Sequence, residues 1–569
     1  MKITNRFNLM LCSLMLAGSL SGQQIGKPNL SETPPPPPPV NQPFIQAAKP
    51  QTLGPVTPFM NWAERNPVGV YPKLKNVPTW DGRTAGNYRI EIRLKGMKPG
   101  MVYLADHFAD AKYLRDTAVA DKNGVAVFTG TKRLQRGMYL FVFNGKSEMF
   151  ELVIDDDQDF IITTDTSWNG DYYSKMKVDG HEANAAFAAY NISRRVYAEK
   201  RYYLSQDLRT LKDSIAKFPE QLTKTEKVAK AALVIQMSGL EAKLQEVDIR
   251  NNELDSIYIQ KYPKHYLSKF LRAVQEPDIS REIPIGKDGK PDSMAAVYRY
   301  KEHFWDKVDL CEDGLIRSPY NVLKKKIDEY FDNLVIPVVD SIAYEADRLI
   351  ARAGCSIENE KYLIWYITNK FETSKIMCIE DGVFVHMAKN YYCQGRAWWC
   401  DSATVAKMCE GADRMSHTLC GNRAPDLQLF DTAGVPKRLF ALQAPYTFVI
   451  FWDPTCGHCQ KVVPELYSTY LKHKNEGWKV YAISSRDKEK EWKEYLQKHP
   501  EIKEWVNVCR LEENSIWHLN LYNYNNISNP TIFILDQSKK VIAKKIDVEK
   551  IEEFLKNYEE VEARKARLK

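Results

Sequence analysis

At 569 residues the chain is too long for one hydrophobic core and implies about three domains. Its 44% hydrophobic and 27% charged residues are ordinary globular values, and a formal charge of +7 is small for this size, which argues against a nucleic-acid partner. Basic and acidic residues alternate, as from Arg486 to Tyr495, so the charge reads as solvated surface.

Residues 1–22 carry Lys2 and Arg6, then an apolar run from Phe7 to about Leu20, then the small residues Ser19 and Ser21. This is the three-part pattern of a secretory signal peptide. The run is too short for a permanent anchor, and no later stretch approaches the roughly 20 apolar residues of a membrane span, so no transmembrane segment is expected in the mature chain. Cys12 lies inside the run, after Leu11 rather than a small residue, which disfavours a lipid anchor. Residues 23–80 form a Pro-rich linker, and its run Pro34 to Pro39 favours a stiff polyproline II spacer.

Residues 81–180 alternate apolar and polar side chains in short runs separated by turns such as Lys122-Asn123-Gly124 and Asn144-Gly145. An antiparallel β-sandwich-like domain is expected. The cluster Asp155-Asp156-Asp157 lacks the spacing and glycine of a calcium loop and reads as a solvated hairpin turn.

From 181 to 420 apolar residues recur every three and four positions, which predicts an all-α middle domain. Its histidines, His386 among them, are isolated and form no catalytic group. Apart from Cys12 and a C-x-x-C pair further on, eight cysteines remain: Cys311, Cys355, Cys378, Cys393, Cys400, Cys409, Cys420 and Cys509. Structural bridges are permitted but their pairing is open. The intervals of seven, nine and eleven between Cys393, Cys400, Cys409 and Cys420 are not those of a zinc site, so no metal is expected.

Residues 421–569 hold the chemistry. Tyr446 to Trp452 suits a central strand, and Cys456-Gly457-His458-Cys459 follows at the expected opening of an amphipathic helix. Unpaired N–H groups and the partial positive charge at a helix N-terminus favour the thiolate of Cys456, and His458 can add to that field. Cys459, one turn on, is placed to resolve a mixed disulfide formed at Cys456.

These residues resemble the thioredoxin superfamily, particularly its TlpA-like and ResA-like periplasmic members. The resemblance covers roughly 420 to 565. It rests on the Ala424-Pro425-Asp426 opening, the Phe451-Trp452 approach to the two cysteines, Pro464 in the helix that follows, and Asn529-Pro530-Thr531 ahead of the strand Ile532 to Leu535. It implies a C-terminal α/β thioredoxin-like domain with Cys456 and Cys459 catalytic. Trp452, Gly457, His458 and Pro464 would support them, and a cis-proline loop of Asn529, Pro530 and Thr531 would receive the substrate chain. No cofactor beyond the redox-active Cys456/Cys459 disulfide is implied.

Two positions depart from the family. Ile450 stands where thioredoxin has a buried Asp, and Val462 where ResA-like proteins have a Glu, so the usual internal base is missing. Glu465, His458, Asp453 or water remain as proton acceptors.

The expected function is reduction or exchange of protein disulfides in the periplasm of a Gram-negative bacterium. A membrane electron donor would keep the pair reduced. A disulfide oxidase or isomerase, or a redox-regulated envelope binding protein, is the alternative.

Overall fold

The computed structural model describes residues 30–31 and 85–568, apart from 147, 166–170, 220, 222, 278, 280–282, 287–288, 373–377, 485–488, 510–521 and 523–527. The expected signal peptide and nearly all of the expected Pro-rich linker thus lie outside the described residues. The described chain falls into two compact units. One runs to Val335 and includes Arg352–Tyr362, and the other comprises Ile336–Ala351 and everything from Leu363 onward. The helices between 181 and 420 are therefore shared between the units.

Among the described residues of the first unit two facing sheets are built from β1 (Ala85–Lys95), β2 (Gly100–Phe108), β3 (Ala111–Ala120), β4 (Val125–Lys132), β5 (Gly137–Phe143), β6 (Glu148–Ile154), β7 (Asp159–Asp165) and β8 (Lys177–Asp179). One sheet has the order β3-β2-β5-β6, with Leu30–Ser31 paired on β3, and the other β4-β1-β7-β8. Alternation makes one face of each sheet apolar, as in β7, where Phe160 and Ile162 point inward. These residues join Ile90, Ile92, Phe141 and Leu152 in one shared core. Most pairings are antiparallel, but β1 and β7 run parallel.

The expectation that Asp155 lies in a solvated turn fails. Its carboxylate is buried, 2.6 Å from Arg136, and accepts the backbone N–H of Tyr266 at 2.8 Å. Its neighbour Asp156 does face solvent.

Two long helices follow, α1 (Glu182–Ala216) and α2 (Lys224–Lys261), antiparallel around the loop that Thr223 and Glu226 close as a capping box. Then come α3 (Tyr266–Val274), α4 (Ser293–His303) and α5 (Val322–Asn333), with α6 (Val339–Arg352), α7 (Ile357–Glu372), α8 (Ile379–Met387) and α9 (Ser402–Ser416) beyond. No helix among the described residues is long and apolar enough to cross a membrane. Six of the eight cysteines are bridged, as Cys311–Cys355, Cys378–Cys420 and Cys393–Cys409. His386 is a packed residue, its Nε2 2.8 Å from Asp347.

Among the described residues the C-terminal region holds a seven-stranded sheet of order β10-β9-β13-β12-β11-β14-β15. Its strands are β9 (Gln428–Phe430), β10 (Pro436–Arg438), β11 (Thr447–Trp452), β12 (Lys479–Ser484), β13 (Val506–Cys509), β14 (Thr531–Leu535) and β15 (Val541–Lys544). Strands β11, β12 and β13 are parallel, while β14 runs antiparallel to β11.

All of β11 is buried, as a central strand covered on both faces must be. Phe448, Ile450 and Trp452 face a core shared with α10 (Cys459–His473) and α12 (Ile551–Leu568), and Val449 and Phe451 face a second core on the other side. A further helix, α11 (Glu489–Lys498), lies between β12 and β13 in sequence and sends Trp492 and Leu496 into the first core.

The edge strand β15 meets α8. Lys544 is buried there against the carboxylate of Asp381, with its amine 3.2 Å from the Thr418 carbonyl, and Lys545 pairs with Glu380. The Cys378–Cys420 bridge ties the residue that opens α8 to the chain just ahead of the C-terminal sheet.

Candidate active site

Strand β11 ends at Trp452 and the chain turns sharply into α10. Asp453 shapes this turn: its Oδ1 accepts the backbone N–H and hydroxyl of Thr455, each at 2.7 Å, and its carbonyl accepts the N–H of Cys456 at 3.2 Å. Regular helix starts at Cys459, three residues after the expected opening, with His458 as N-cap. The first helical i+4 bond nevertheless runs from the Gln460 N–H to the Cys456 carbonyl, 3.1 Å, so Cys456 sits at the mouth of the helix.

The two thiols have opposite surroundings. Cys456 is half-buried, whereas Cys459 is fully buried in the core beneath Trp452. The backbone N–H of Cys459 points at the Cys456 sulfur, and the Cys459 thiol and the His458 N–H add to it. Together they outweigh burial and hold the Cys456 thiol below its ordinary value. Burial pushes the Cys459 thiol up to about 12, although the Asp453 N–H, 3.4 Å from its sulfur, opposes the rise.

His458 is exposed and donates no side-chain cap. Its contribution to Cys456 comes through its backbone N–H. Gly457 faces open space, so a Cβ there would meet nothing within 4 Å.

Pro464 lies inside α10, where it removes the N–H that would bond back to residue 460. Trp452, buried, meets the ring of Tyr495 of α11 edge-on at 5.0 Å. Tyr495 in turn stacks on His499 at 4.2 Å.

The loop ahead of β14 comes to the same place although it is some 70 residues away in sequence. Its Asn529–Pro530 peptide is cis, and the Asn529 carbonyl lies 3.9 Å from the Cys456 sulfur. Thr531 is buried opposite Phe451 in the β11–β14 ladder, and its hydroxyl donates to the Ser528 carbonyl at 2.5 Å. The catalytic, supporting and substrate-loop residues expected from the sequence thus all lie on β11, α10, the turn between them or the cis-proline loop that leads into β14.

Ile450 is buried among apolar side chains and Val462 packs at the edge of the same core, so neither position supplies a base. Glu465 is exposed, with its carbonyl taken by the Thr469 hydroxyl. Two features escaped sequence reading, the Asp453 N–H on Cys459 and the Tyr495 ring on Trp452. A backbone donor leaves no mark in residue identity, and Tyr495 arrives from a separate helix.

These environments predict the labelling order. In the reduced protein Cys456 is expected to react first with iodoacetamide, with a rate that rises with pH through a midpoint below the ordinary thiol value of about 8.5. Cys459 should stay unlabelled at neutral pH, which mass spectrometry of the alkylated peptides reads directly. Faster labelling at Cys459, or a midpoint at or above the ordinary value for Cys456, would contradict the environments described.

Residues 445–541 match the family model described as "Thioredoxin-like", and residues 88–187 match a domain of unknown function, DUF4369. The thiol-disulfide oxidoreductase ResA of Bacillus thuringiensis subsp. konkukian is 26% identical over 139 residues, covering 24% of this chain and 76% of its own length. Among solved structures, a domain of a possible thiol-disulfide isomerase from Cytophaga hutchinsonii is 36% identical, over 25% of this chain and 95% of that one, with a TM-score of 0.23. A thioredoxin-like protein from Bacteroides caccae is 17% identical, over 49% of this chain and 98% of that one, with a TM-score of 0.38. With its dithiol at the mouth of α10 and its cis-proline loop against the sheet, the C-terminal part of this multidomain chain belongs to the thioredoxin superfamily, on its TlpA- and ResA-like branch.

Proposed function

We propose that the chain is an exported thiol-disulfide oxidoreductase that reduces or exchanges protein disulfides through Cys456 and Cys459. The observation that carries this reading is the asymmetry of the pair: a half-buried sulfur whose thiolate is favoured, beside a buried sulfur whose thiol is held protonated. Cys456 attacks a sulfur of the client disulfide, forming a mixed disulfide and releasing the other client sulfur as a thiolate. Cys459 then gives up its proton and attacks the Cys456 sulfur, which frees the client dithiol and leaves the enzyme oxidised. Electrons return from a reduced dithiol partner, proposed to be a membrane electron donor.

An extended client segment is proposed to lie with its backbone against the loop of Asn529, Pro530 and Thr531, a reading supported by the Asn529 carbonyl beside Cys456. Export to the periplasm of a Gram-negative bacterium rests on the pattern of residues 1–22. Thiolate stabilisation at Cys456 also favours the reduced enzyme, which makes the couple more oxidising and supports disulfide oxidation or isomerisation as the second reading.

The test is turnover. A catalytic amount of the full chain is expected to accelerate the reduction of insulin disulfides by excess dithiothreitol, over many cycles per enzyme. Acceleration that ends after one equivalent, or none at all, would leave a redox-regulated binding protein as the better description.

A further inference from the structure

A second group of sulfurs lies outside the thioredoxin-like sheet. After the π-helical turn Ala388–Tyr392 the chain reverses at Gly395, whose φ of 77° suits glycine, with its N–H on the Tyr392 carbonyl at 3.1 Å. The Arg396 N–H bonds the Tyr391 carbonyl at 2.9 Å, and the ring of Trp399 stands edge-on to Tyr392 at 6.3 Å. A last turn, from the Cys400 N–H to the Ala397 carbonyl at 3.0 Å, directs Cys400 back toward the residues it has just passed. There it packs against the small cluster of Cys393, Val405 and Cys409.

Cys393 and Cys409 are bridged and are only 3% and 4% exposed. Cys400 stands outside the bridge and is half-buried. A disulfide shut off from solvent is protected from thiols in solution, but a thiol already packed against it meets no such barrier.

We propose that Cys393, Cys400 and Cys409 form a second thiol-disulfide exchange centre, in which Cys400 links the buried bridge to the surface. The Cys400 thiolate attacks one sulfur of the Cys393–Cys409 bridge. The S–S bond between them breaks, a bond from Cys400 to the attacked sulfur forms, and the displaced sulfur leaves as a thiolate and takes up the proton that Cys400 lost. No net oxidation occurs. The new bridge includes the half-buried Cys400, so a reduced dithiol from solution can open it by attack at that sulfur, becoming oxidised while all three cysteines of the centre are left as thiols. The centre is independent of the roles given to Cys456 and Cys459.

The test uses the full chain with Cys456→Ser and Cys459→Ser, so that only this chemistry is read. The folded, unreduced protein is held at pH 8, where thiolate forms, then acidified and digested at low pH, where exchange stops. Peptides joining Cys400 to Cys393 or to Cys409 are expected beside the original pair by mass spectrometry. In the same background Cys400→Ser should show only the Cys393–Cys409 link, and its bridge should be reduced by dithiothreitol about tenfold more slowly. A single Cys393–Cys409 link in the protein that retains Cys400 would overturn the proposal whether or not the variant folds. So would an equal reduction rate in a folded Cys400→Ser variant.

Discussion

Cys456→Ser and Cys459→Ser are each expected to lower disulfide turnover by about 10³-fold or more, the scale on which enzymes lose rate when a group in direct covalent contact with substrate is removed. The two losses should differ in kind. A serine at 456 removes the nucleophile, and the buried Cys459, its thiol pushed up to about 12, cannot take its place. A serine at 459 leaves the nucleophile and removes the exit, so a single first attack should proceed at close to the parent rate and then stop. Rapid mixing of each reduced variant with a protein disulfide separates these outcomes, because only Cys459→Ser gives a stoichiometric burst. Substantial steady turnover by either variant would remove that cysteine from the cycle. Since the Cys456 thiolate is favoured, the burst rate should rise with pH through a midpoint below that of an ordinary thiol.

The second large effect lies away from the dithiol. Asp381→Ala is expected to destabilise the unit containing the thioredoxin-like sheet by about 3–5 kcal/mol, because it strands the buried amine of Lys544 without its counter-charge. Burial pushes the Asp381 carboxyl up, but Lys544 and Lys545 more than offset this and hold it below its ordinary value. A depressed carboxyl contributes stability that is present above its unfolded value of about 3.9 and is lost as pH falls through the folded one. Burial pulls the Lys544 amine down, which opposes folding at neutral pH and is relieved as pH rises toward the ordinary lysine value.

Denaturant unfolding of the parent and variant near pH 7 measures the difference. Asp381→Leu combined with Lys544→Met, which removes both charges, should recover most of the loss. A fragment beginning at 421 lacks α8 and Thr418 altogether, so Lys544 regains solvent there and the stranded charge of Asp381→Ala should not arise. A loss below about 1 kcal/mol for Asp381→Ala would mean that the pair behaves as a solvent-screened surface contact.

What could be read from the sequence was local. The run Tyr446 to Trp452, the C-x-x-C after it and the proline in the following helix each declare themselves within a few residues, through strand composition, spacing and a missing N–H. The Asn529-Pro530-Thr531 loop, far along the chain, was placed only through its resemblance to a family.

Lys544 shows what stayed hidden. In Val541-Ile542-Ala543-Lys544, at a sheet edge, a lysine reads as a solvated side chain, and only the covering of that strand by α8 buries it. Asp155 was misread for the same reason, since Arg136 and the Tyr266 N–H that bury it lie elsewhere in the chain. The cysteine pairs were equally closed to sequence reading. Cys393 and Cys409 meet only because the chain reverses at Gly395 and returns as α9.

The account stands most directly on which sulfur holds the client. Full-length Cys459→Ser, reduced and then presented with an excess of a protein disulfide, should yield a covalent complex on non-reducing electrophoresis. Peptide mapping of that band should join the client cysteine to Cys456. The account predicts this adduct in high yield and almost none from Cys456→Ser. Equal trapping by the two variants, or a client joined through Cys400 or Cys509 instead, would contradict it.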